Sequence, residues 1–411
     1  MTQGTKSVPE SGPWLSIVGI GEAGLAGLPA AALSLIGAAE LVAGGKRHLQ
    51  LIGDLTKVGR PWPSPIAPGI TAVLEMRGRP VVVLASGDPF EHGAGSMLTR
   101  CLQAGEWVSY PQPSAFSLAA NQLGWALQDI LTIGINGRAI ERLIPLLQPG
   151  ARILALSADG ATPAAVATLL KSRGFGQSQI TVLEALGGPR QKFRTATANH
   201  FELPVIDPLN TLAIEIVADP GARIVPLSPG LPDAWFESDG QLTKREVRAL
   251  TLSALAPRRG EHLWDLGCGS GSIAIEWMLA DQSCRATGVE RRADRAARAA
   301  RNALALGVPG LRIETGDVSM HLSQLDPPHA VFIGGGARQV GLIDLVWTHL
   351  PSGGRLVVNA VTLETEALVL AERLKKGGSL TRIAIDRADP VGDLTGWRPA
   401  MPVIQWLAVK P

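Results

Sequence analysis

Much of what this chain can fold into is decided by the glycine-rich stretch Leu263–Ala274. It begins as a short apolar strand, continues through a turn with glycine at alternate positions (Gly267, Gly269 and Gly271), and leads into a helix that starts near Ser272. Because glycine lacks a β-carbon, such a turn can adopt unusual dihedral angles and approach a bound molecule closely. The first amides of the helix then point at that molecule. The stretch therefore predicts an α/β unit with a ligand at the end of a strand.

Two cofactors suit such a turn. A dinucleotide fingerprint, G-x-G-x-x-G/A, fits Gly269-x-Gly271-x-x-Ala274 but leaves Asp265 and Gly267 without a role. The whole pattern Asp-x-Gly-x-Gly-x-Gly, from Asp265 to Gly271, resembles motif I of the class I S-adenosylmethionine (SAM) methyltransferases. A carboxylate at this position can attract the ammonium group of the methionine moiety.

Two more acidic residues follow at the ends of the next strands. Glu290 ends the strand after motif I, where an acid suits a ribose diol, and both cofactors have one. Asp317 ends the third strand, in a position to meet the amino group of adenine. Three acids at three successive strand ends favour SAM over a dinucleotide.

Composition limits the remaining choices. At 411 residues, with 46% hydrophobic and 18% charged residues, the chain is expected to form two large globular domains. A net charge of +2 gives no reason to expect nucleic acid, and no apolar run is long enough to span a bilayer. The polar segment 1–13 does not have the pattern of a signal peptide. Cys101, Cys268 and Cys284 lack metal-site spacing, so we expect free thiols, no metal and a cytoplasmic protein.

The first half carries two glycine-rich elements of its own. A strand at 14–18 runs into Gly19-Ile20-Gly21-Glu22-Ala23-Gly24, a literal G-x-G-x-x-G. As a dinucleotide motif it is weak, because the expected acid, Glu40, precedes the next strand instead of ending it. The second element follows a strand at 81–85 and reads Ser86-Gly87-Asp88-Pro89, with spaced glycines after it.

Together with the segment Pro111–Phe116, which has the form Pro-x-x-Ser, these elements resemble the tetrapyrrole methylase (class III SAM methyltransferase) family over about residues 13–218. The sequence departs from many relatives at Glu22-Ala23, where they have Pro-Gly. Asp88 can also be explained as a turn-forming residue before proline, and His92 is interpreted as a loop histidine. The resemblance implies a two-lobed domain with cofactor contacts from Gly19, Gly21, Ser86, Gly87, Asp88, Ser114 and Ala115.

A segment rich in proline and glycine, 219–241, predicts a linker. Thr243 and Glu246 then predict a capping box at the start of a helix. From there to residue 411, alternating elements predict a doubly wound, Rossmann-like sheet whose last two strands form an antiparallel edge. Its strands are predicted at 262–266, 285–290, 311–315, 330–333, 355–360, 380–386 and 403–409.

Two patterns in this half imitate functional sites. Asp326-Pro327-Pro328-His329 is similar to a catalytic tetrapeptide of amino-group methyltransferases, but it precedes its strand and so predicts only a loop. A row of arginines could bind phosphate, although a solvated helix face explains it better. The row consists of Arg291, Arg292, Arg295, Arg298 and Arg301.

Residues 228–411 resemble the cobalamin-pathway methyltransferases that modify carbon 15 of a corrin precursor and decarboxylate its acetate. The resemblance rests on the Thr243–Arg248 segment, Ile275-Glu276, Gly334-Gly335-Gly336 and Asn359–Glu364. With a carbon-5 methylase in front, it implies a cytoplasmic enzyme with two SAM sites that methylates a tetrapyrrole at carbons 5 and 15. It also implies a homo-oligomer, either a dimer or a tetramer.

The substrate of such an enzyme carries several carboxylates, which basic groups and above all arginine bind well. Lys244, Arg245, Arg248 and Arg338 are the substrate-binding candidates. Glu276, Asn359 and Glu364 are candidates for orienting the substrate or moving a proton, and a structural role explains each equally well. Three alternatives stay open: methylation of another tetrapyrrole or small molecule, a non-catalytic module that binds SAM or a nucleotide, and an oxidoreductase with two dinucleotides.

Overall fold

The protein is described by a computed structural model over residues 12–411. Two compact units are present. The front unit contains the residues up to Ile140 and Gln148–Arg223, and the rear unit contains Glu141–Leu147 and Ile224–Pro411. The division after Arg223 falls inside the predicted linker. We expect no signal peptide in residues 1–13, and Met1–Ser11 of that segment lie outside the described residues.

The first lobe of the front unit is a parallel sheet with the strand order β3-β2-β4-β1-β5. Its strands are β1 (Leu15–Ile20), β2 (Leu41–Gly44), β3 (Gly59–Pro61), β4 (Val81–Ser86) and β5 (Trp107–Tyr110). Its helices are α1 (Ala30–Ala38), α2 (Lys46–Ile52), α3 (Ala67–Leu74) and α4 (Gly95–Leu98). Strand β1 is buried along its whole length, in agreement with its mostly apolar sequence.

The second lobe of the front unit is a mixed sheet with the order β6-β7-β10-β8-β9, in which only β6 and β7 pair in parallel. Its strands are β6 (Leu131–Gly134), β7 (Arg152–Leu156), β8 (Gln179–Glu184), β9 (Lys192–Thr197) and β10 (Asn210–Glu215). Helix α5 (Ala115–Leu123) packs Phe116 and Ala119 against this sheet, and α6 (Thr162–Ser172) covers it as well. The front unit is therefore two-lobed, as predicted.

The rear unit is built on a seven-stranded sheet with the order β13-β12-β11-β14-β15-β19-β16. Its strands are β11 (His262–Leu266), β12 (Arg285–Glu290), β13 (Arg312–Thr315), β14 (Ala330–Ile333), β15 (Arg355–Ala360), β16 (Ser379–Ile383) and β19 (Val403–Val409). Its helices are α7 (Arg245–Leu255), α8 (Ser272–Ala280), α9 (Ala293–Ala305), α10 (Val318–His321), α11 (Leu342–His349) and α12 (Leu363–Lys376). A separate hairpin consists of β17 (Asp386–Val391) and β18 (Leu394–Pro399).

Five adjacent strands of this sheet, β11 to β15, pair with one another in parallel, and β19 runs antiparallel to both β15 and β16. Strand β11 lies at the centre, where Trp264 and Leu266 are fully buried. Because parallel strands end at the same edge, the chain segments after β11, β12, β13 and β14 lie along one rim. The doubly wound sheet, the antiparallel edge and the helix starting at Ser272 are all confirmed.

Two predictions about local structure are wrong. Thr243 does not cap α7: Lys244 occupies the N-cap position, and no side chain caps the helix there. The strand predicted at 380–386 ends at Ile383, and the β17–β18 hairpin follows it. Asp326–His329 forms a loop before β14, as predicted.

Candidate cofactor and substrate sites

The glycine-rich turn of the rear unit forms a cradle, a backbone surface that the β-carbon of any other residue would obstruct. Gly267, Gly269 and Gly271 all have positive φ, at 74°, 56° and 77°. A β-carbon on Gly267 would lie 2.8 Å from the carbonyl oxygen of Gly335, in the loop after β14. The turn therefore requires glycine both for its conformation and for the close approach of a neighbouring loop.

Asp265, at the end of β11, is the most buried acid of this rim, with 1% of its surface exposed. Its Oδ2 accepts a hydrogen bond from the backbone N–H of Ala274 at 3.1 Å, and its Oδ1 has no partner among residues 12–411. Burial, helped by the charge of Glu290, raises the pKa of Asp265 to about 7. An ammonium group would supply the missing partner, so the site fits the methionyl end of SAM.

Glu290 and Asp317 stand at the ends of β12 and β13. The buried Glu290 accepts hydrogen bonds from the backbone N–H groups of Gly269 and Arg292, each at 2.9 Å, and so fixes the glycine-rich turn. Asp317 caps α10 through Ser319 and accepts a third hydrogen bond from Gln339 at 2.9 Å. These contacts hold the pKa of Asp317 below its usual range. Both acids are thus held at the same rim as Asp265.

Glu276 and Arg248 bind each other. The Nε of the fully buried Arg248 donates to Glu276 at 2.5 Å, and its other N–H groups reach Asp233 and the carbonyl oxygens of Leu231 and Thr243. Glu276 also accepts hydrogen bonds from the backbone N–H groups of Gly230 at 2.6 Å and of Leu231 at 2.9 Å. The sequence suggests Arg248 as a substrate-binding residue and Glu276 as a catalytic residue. The structure instead places the two side chains in one buried ion pair that connects α7 to α8.

Asn359 is also engaged inside the protein. Its Nδ2 donates to the hydroxyl of Thr251 on α7 at 2.9 Å, and its Oδ1 accepts from Gln405 on β19 at 3.1 Å. All three side chains are buried. The amide group of Asn359 therefore fixes the end of β15 against its neighbours.

The remaining candidates are exposed. Lys244 and Arg245 lie at the start of α7, and Arg338 lies in the loop after β14. Glu364 lies in the first turn of α12, where its own backbone N–H and the Thr362 side chain lower its pKa, with Arg338 adding to the effect. Arg338 and Glu364 are thus close enough to interact and are open to a ligand.

In the front unit, three loops are packed backbone against backbone. A β-carbon on Gly19 would lie 1.9 Å from the carbonyl oxygen of Gly87 and 2.8 Å from the backbone nitrogen of Gln112. Gln112 donates its N–H to that same carbonyl at 3.2 Å. A β-carbon on Gly21, by contrast, would meet nothing within 4 Å. Glycine is therefore required at position 19 for the close packing of the loops, whereas the space next to Gly21 is open.

These loops border a cavity of about 370 Å³. Gly21, Ser86, Gly87, Ser114 and Ala115 line it, so most of the predicted front-unit residues come together. The hydroxyl of Ser114 caps α5 by accepting from Ser117 at 3.1 Å, which places the start of that helix at the cavity. A helix N-terminus favours an anionic or polar ligand group.

Asp88 forms the turn that the sequence offers as the simpler explanation. Its Oδ1 accepts from the backbone N–H of Phe90 at 2.8 Å. His92 lines the cavity with a positive φ of 57°, and its ring meets Phe116 edge-on with centroids 5.9 Å apart. Its interpretation as a loop histidine is consistent with this contact.

A polar cluster in the same cavity was missed by the sequence analysis. It consists of Glu22, Arg47, His48 and Ser86, of which only Ser86 was predicted as a site residue. Arg47 donates to Glu22 and to Ser86, and His48 contacts Ser86 at 2.8 Å. The available signal was Gly44-Gly45 followed by Arg47-His48, which places a cation and an imidazole just after a strand.

The arginine row on α9 is largely neutralised within the rear unit. Arg295 and Arg298, both half-buried, form ion pairs with Asp239, and Arg301 pairs with Glu237. Within residues 12–411 no group of acidic, histidine and cysteine side chains has the arrangement of a metal site. No helix in the same range is both long and apolar enough to cross a bilayer.

Comparison with known proteins divides the chain in the same order. The sequence profile of the Tetrapyrrole (Corrin/Porphyrin) Methylases matches residues 15–202, and that of the Precorrin methyltransferase domain matches residues 234–410. A Sinorhizobium sp. protein named precorrin-6Y C(5,15)-methyltransferase (decarboxylating) is 53% identical over 399 residues, which are 97% of each protein.

Two further relatives match less of the chain. A Saccharolobus solfataricus protein named "Probable cobalt-precorrin-6B C(15)-methyltransferase (decarboxylating)" is 36% identical over 155 residues, which are 36% of this chain and 78% of that protein. The crystal structure of the C-terminal domain of precorrin-6Y C5,15-methyltransferase from Rhodobacter capsulatus is 46% identical. It covers 45% of this chain and 100% of its own, with a TM-score of 0.43.

Proposed function

The chain belongs to the precorrin-6Y C(5,15)-methyltransferase (decarboxylating) family, and we propose that its two units divide the reaction between them. It is a SAM-dependent methyltransferase of cobalamin biosynthesis. The front unit methylates carbon 5 of precorrin-6Y. The rear unit methylates carbon 15 and releases carbon dioxide from the acetate at carbon 12, which completes the conversion to precorrin-8X.

The observation that carries this proposal is the presence of two glycine-built cradles in two unrelated sheets. One lies around Gly19 and Gly87, and the other around Gly267. The two matching profiles cover the two cradles separately. The archaeal relative supports the assignment, because its name gives carbon 15 and decarboxylation without carbon 5. We therefore propose two SAM sites per chain.

When bound, SAM supplies an electrophilic methyl group. In the rear unit Asp265 holds the ammonium group of its methionyl end, Glu290 the ribose, and Asp317 the adenine. Gly267, Gly269 and Gly271 let the backbone come close. In the front unit Gly21, Ser86, Gly87, Ser114 and Ala115 form the corresponding surface, and Gly19 and Asp88, which do not line the cavity, shape the loops that carry it.

The substrate needs alignment more than activation. The bridge carbons of a reduced tetrapyrrole are already nucleophilic, so positioning can supply ~7–11 kcal/mol of the barrier reduction. Loss of carbon dioxide from the acetate arm can use the conjugated ring as electron sink. In the rear unit Lys244, Arg245 and Arg338 bind the carboxylates of the substrate, and Glu364 orients it or moves a proton. Arg248, Glu276 and Asn359 support this surface from within.

A matched pair of full-length variants tests the division. Gly87→Ala brings a β-carbon to 2.7 Å from the carbonyl of Pro113, and Gly267→Ala brings one to 2.8 Å from the carbonyl of Gly335, both at positive φ. Given precorrin-6Y and SAM, Gly87→Ala should yield a product methylated once and decarboxylated. Gly267→Ala should yield a product methylated once that keeps its acetate.

Mass spectrometry reads the two changes separately, because a methylene gain and a carboxyl loss differ in mass. Gly150→Ala, at a positive-φ glycine surrounded by open space, controls for backbone strain alone. Calorimetry should find two SAM equivalents on the wild type and one on each variant. Release of carbon dioxide by Gly267→Ala, or loss of both methylations in both variants, would contradict the division.

We also propose that the chain acts in the cytoplasm as a homo-oligomer, either a dimer or a tetramer. Exposed apolar side chains on the β17–β18 hairpin, including Leu394 and Trp397, support self-association. Light scattering on the purified protein measures the mass directly. A monomer at micromolar concentration would count against this part of the proposal.

A further inference from the structure

Two neighbouring segments at the carboxyl edge of the rear sheet expose aliphatic side chains to solvent. The loop after β14 carries Val340, which is 99% exposed. The segment after β15 carries the half-exposed Val361 and also Leu363, which is 81% exposed. Because β14 and β15 pair in parallel, the two segments lie side by side. We call Val340, Val361 and Leu363 the aliphatic patch. Single exposed aliphatic residues are common, but a group beside a proposed cofactor site indicates a binding surface.

The exposure of Val340 is imposed by the residues around it. Ala337 and Leu342, on either side, are buried in the core of the rear unit. Between them the Nε2 of Gln339 donates to the carboxylate of Asp317 at 2.9 Å. The loop is therefore anchored at both ends and in its middle, and Val340 is held at the surface.

Leu363 is held at the surface in a similar way. It is the first residue of α12, whose N-cap Thr362 accepts a hydrogen bond from the backbone N–H of Thr365 at 3.4 Å. Ala360, before the helix, and Val369, within it, are buried in the same core as the anchors of the preceding loop. The side of α12 that carries Leu363 thus faces solvent on an ordered helix.

The aliphatic patch adjoins both the rear cradle and a charged pair. In the loop that carries Val340, the carbonyl oxygen of Gly335 lies so near Gly267 that a β-carbon on Gly267 would be 2.8 Å from it. A substrate that meets SAM at this cradle therefore comes within reach of the same loop. Arg338 is two residues before Val340, and its charge helps to lower the pKa of Glu364, which follows Leu363.

This combination of aliphatic and cationic groups matches a ring with acidic arms. A tetrapyrrole has an apolar ring face and carboxylates at its periphery. Resting on the proposed function of the rear unit, we propose that the aliphatic patch binds the ring face of the tetrapyrrole while Arg338 binds one of its carboxylate arms. Burial of the ring face supplies affinity without direction, and the arginine supplies orientation. The patch thus selects a flat macrocycle over a flexible polycarboxylate.

The test compares two leucines on the same helix of the full chain. Leu363 and Leu374 lie at opposite ends of α12 and are 81% and 83% exposed. Leu363→Ala should raise KM for carbon-15 methylation of precorrin-6Y about 10-fold with little change in kcat, because apolar contact with the substrate is lost. Leu363→Met keeps an apolar side chain of similar volume and should stay within about twofold of wild type. Leu374→Ala should behave as wild type.

Two other readouts separate substrate binding from damage to the fold. SAM affinity at the rear site and carbon-5 methylation by the same chain should be unchanged in Leu363→Ala. An unchanged KM for carbon-15 methylation in this variant, or an equal loss of SAM affinity, would overturn the proposal. A lower molecular mass in light scattering together with an unchanged KM would identify the patch as a contact between copies of the chain, which also overturns it.

Salt concentration distinguishes the ring contact from the neighbouring charges. The effect of Arg338→Gln on KM should shrink as salt is added, because exposed charges are screened. The effect of Leu363→Ala should stay the same over the same range. If it shrinks in parallel with that of Arg338→Gln, Leu363 acts only through the charged pair and the ring contact is refuted.

Failure of the proposed function gives a different result. If the wild type does not methylate carbon 15, that function fails, and binding of precorrin-6Y, followed by its absorbance, decides the role of the patch. Tighter binding to the wild type and to Leu374→Ala than to Leu363→Ala supports the patch. Equal binding to all three proteins, or binding to none, overturns it.

Discussion

In the front unit the proposed cofactor loops are packed backbone against backbone, whereas in the rear unit the corresponding loop is held by buried carboxylates. Gly19 and Gly87 come so close that no side chain fits between them. In the rear unit Glu290 accepts hydrogen bonds from backbone N–H groups of the turn. The buried Asp265 has one carboxylate oxygen without a hydrogen-bond partner among the described residues.

This difference in construction predicts that the two sites are sensitive to different changes. A site built from close backbone contacts responds to added volume and little to pH, because interiors are densely packed. A site built from buried charges responds to the loss of a partner and to protonation. The two SAM sites that we propose should thus fail under different perturbations.

The largest effect is expected for the buried charges of the rear unit. Arg248→Met leaves Glu276 buried without its cation and should destabilise the rear unit by ~3–5 kcal/mol. Arg245→Met, at an exposed neighbouring position, should change stability by less than ~0.5 kcal/mol. Chemical denaturation measures both. If Arg248→Met left stability intact and raised only KM for the substrate, the substrate role suggested by the sequence would be right.

The front unit should respond to volume. Gly19→Ala forces a β-carbon into the carbonyl of Gly87, and we expect a loss of ~1–3 kcal/mol or more. Gly21→Ala meets open space and should change stability by less than ~0.5 kcal/mol. Thermal unfolding of the two variants makes the comparison. Equal stability would show that the loops can separate without cost.

Glu290→Ala should weaken SAM binding in the rear unit by ~1–3 kcal/mol, because a ribose hydroxyl and two backbone N–H groups lose their acceptor. Glu290→Gln keeps one acceptor oxygen and should lose less. Calorimetry on the full chain resolves both sites, and affinity at the front site should stay constant. An equal loss at both sites would mean that the sites are wrongly assigned.

The smallest effect is a pH dependence confined to the rear site. Burial raises the pKa of Asp265 to about 7, and only the ionised carboxylate attracts an ammonium group. SAM affinity at the rear site should therefore rise about tenfold between about pH 6 and about pH 8 and then level off. Calorimetry on Gly87→Ala isolates this site. Asp265→Asn should bind weakly without this dependence, and an unchanged slope in that variant would identify another titrating group.

The parts of the fold that sequence predicted best are those in which local pattern and burial agree. Strand β11 is an apolar run followed at once by glycines, and its bounds were predicted to the residue. The start of α7 was predicted wrongly. The backbone carbonyl of Thr243 accepts a hydrogen bond from Arg248, and Lys244 occupies the N-cap position. The β17–β18 hairpin was missed because its strands are exposed and lack an apolar alternation.

For the candidate sites, sequence predicted which glycine-rich loops lie at the strand ends but not the partners of individual side chains. Motif spacing placed Asp265 and Glu290 at one rim, because parallel strands end together. The pairing of Arg248 with Glu276 joins two helices, and that of Arg47 with Ser86 joins a helix to a strand. Such contacts depend on tertiary packing across long stretches of chain, which no local pattern records.

The position of β19 has a consequence for how the protein is made. This strand lies between β15 and β16 and carries the fully buried Trp406, yet it is the last strand of the described chain to leave the ribosome. Until it emerges, β15 and β16 each present an unpaired edge, which invites pairing with other chains. The front unit closes its sheets with β10, long before that point. The nascent rear unit is thus the part most exposed to aggregation during translation.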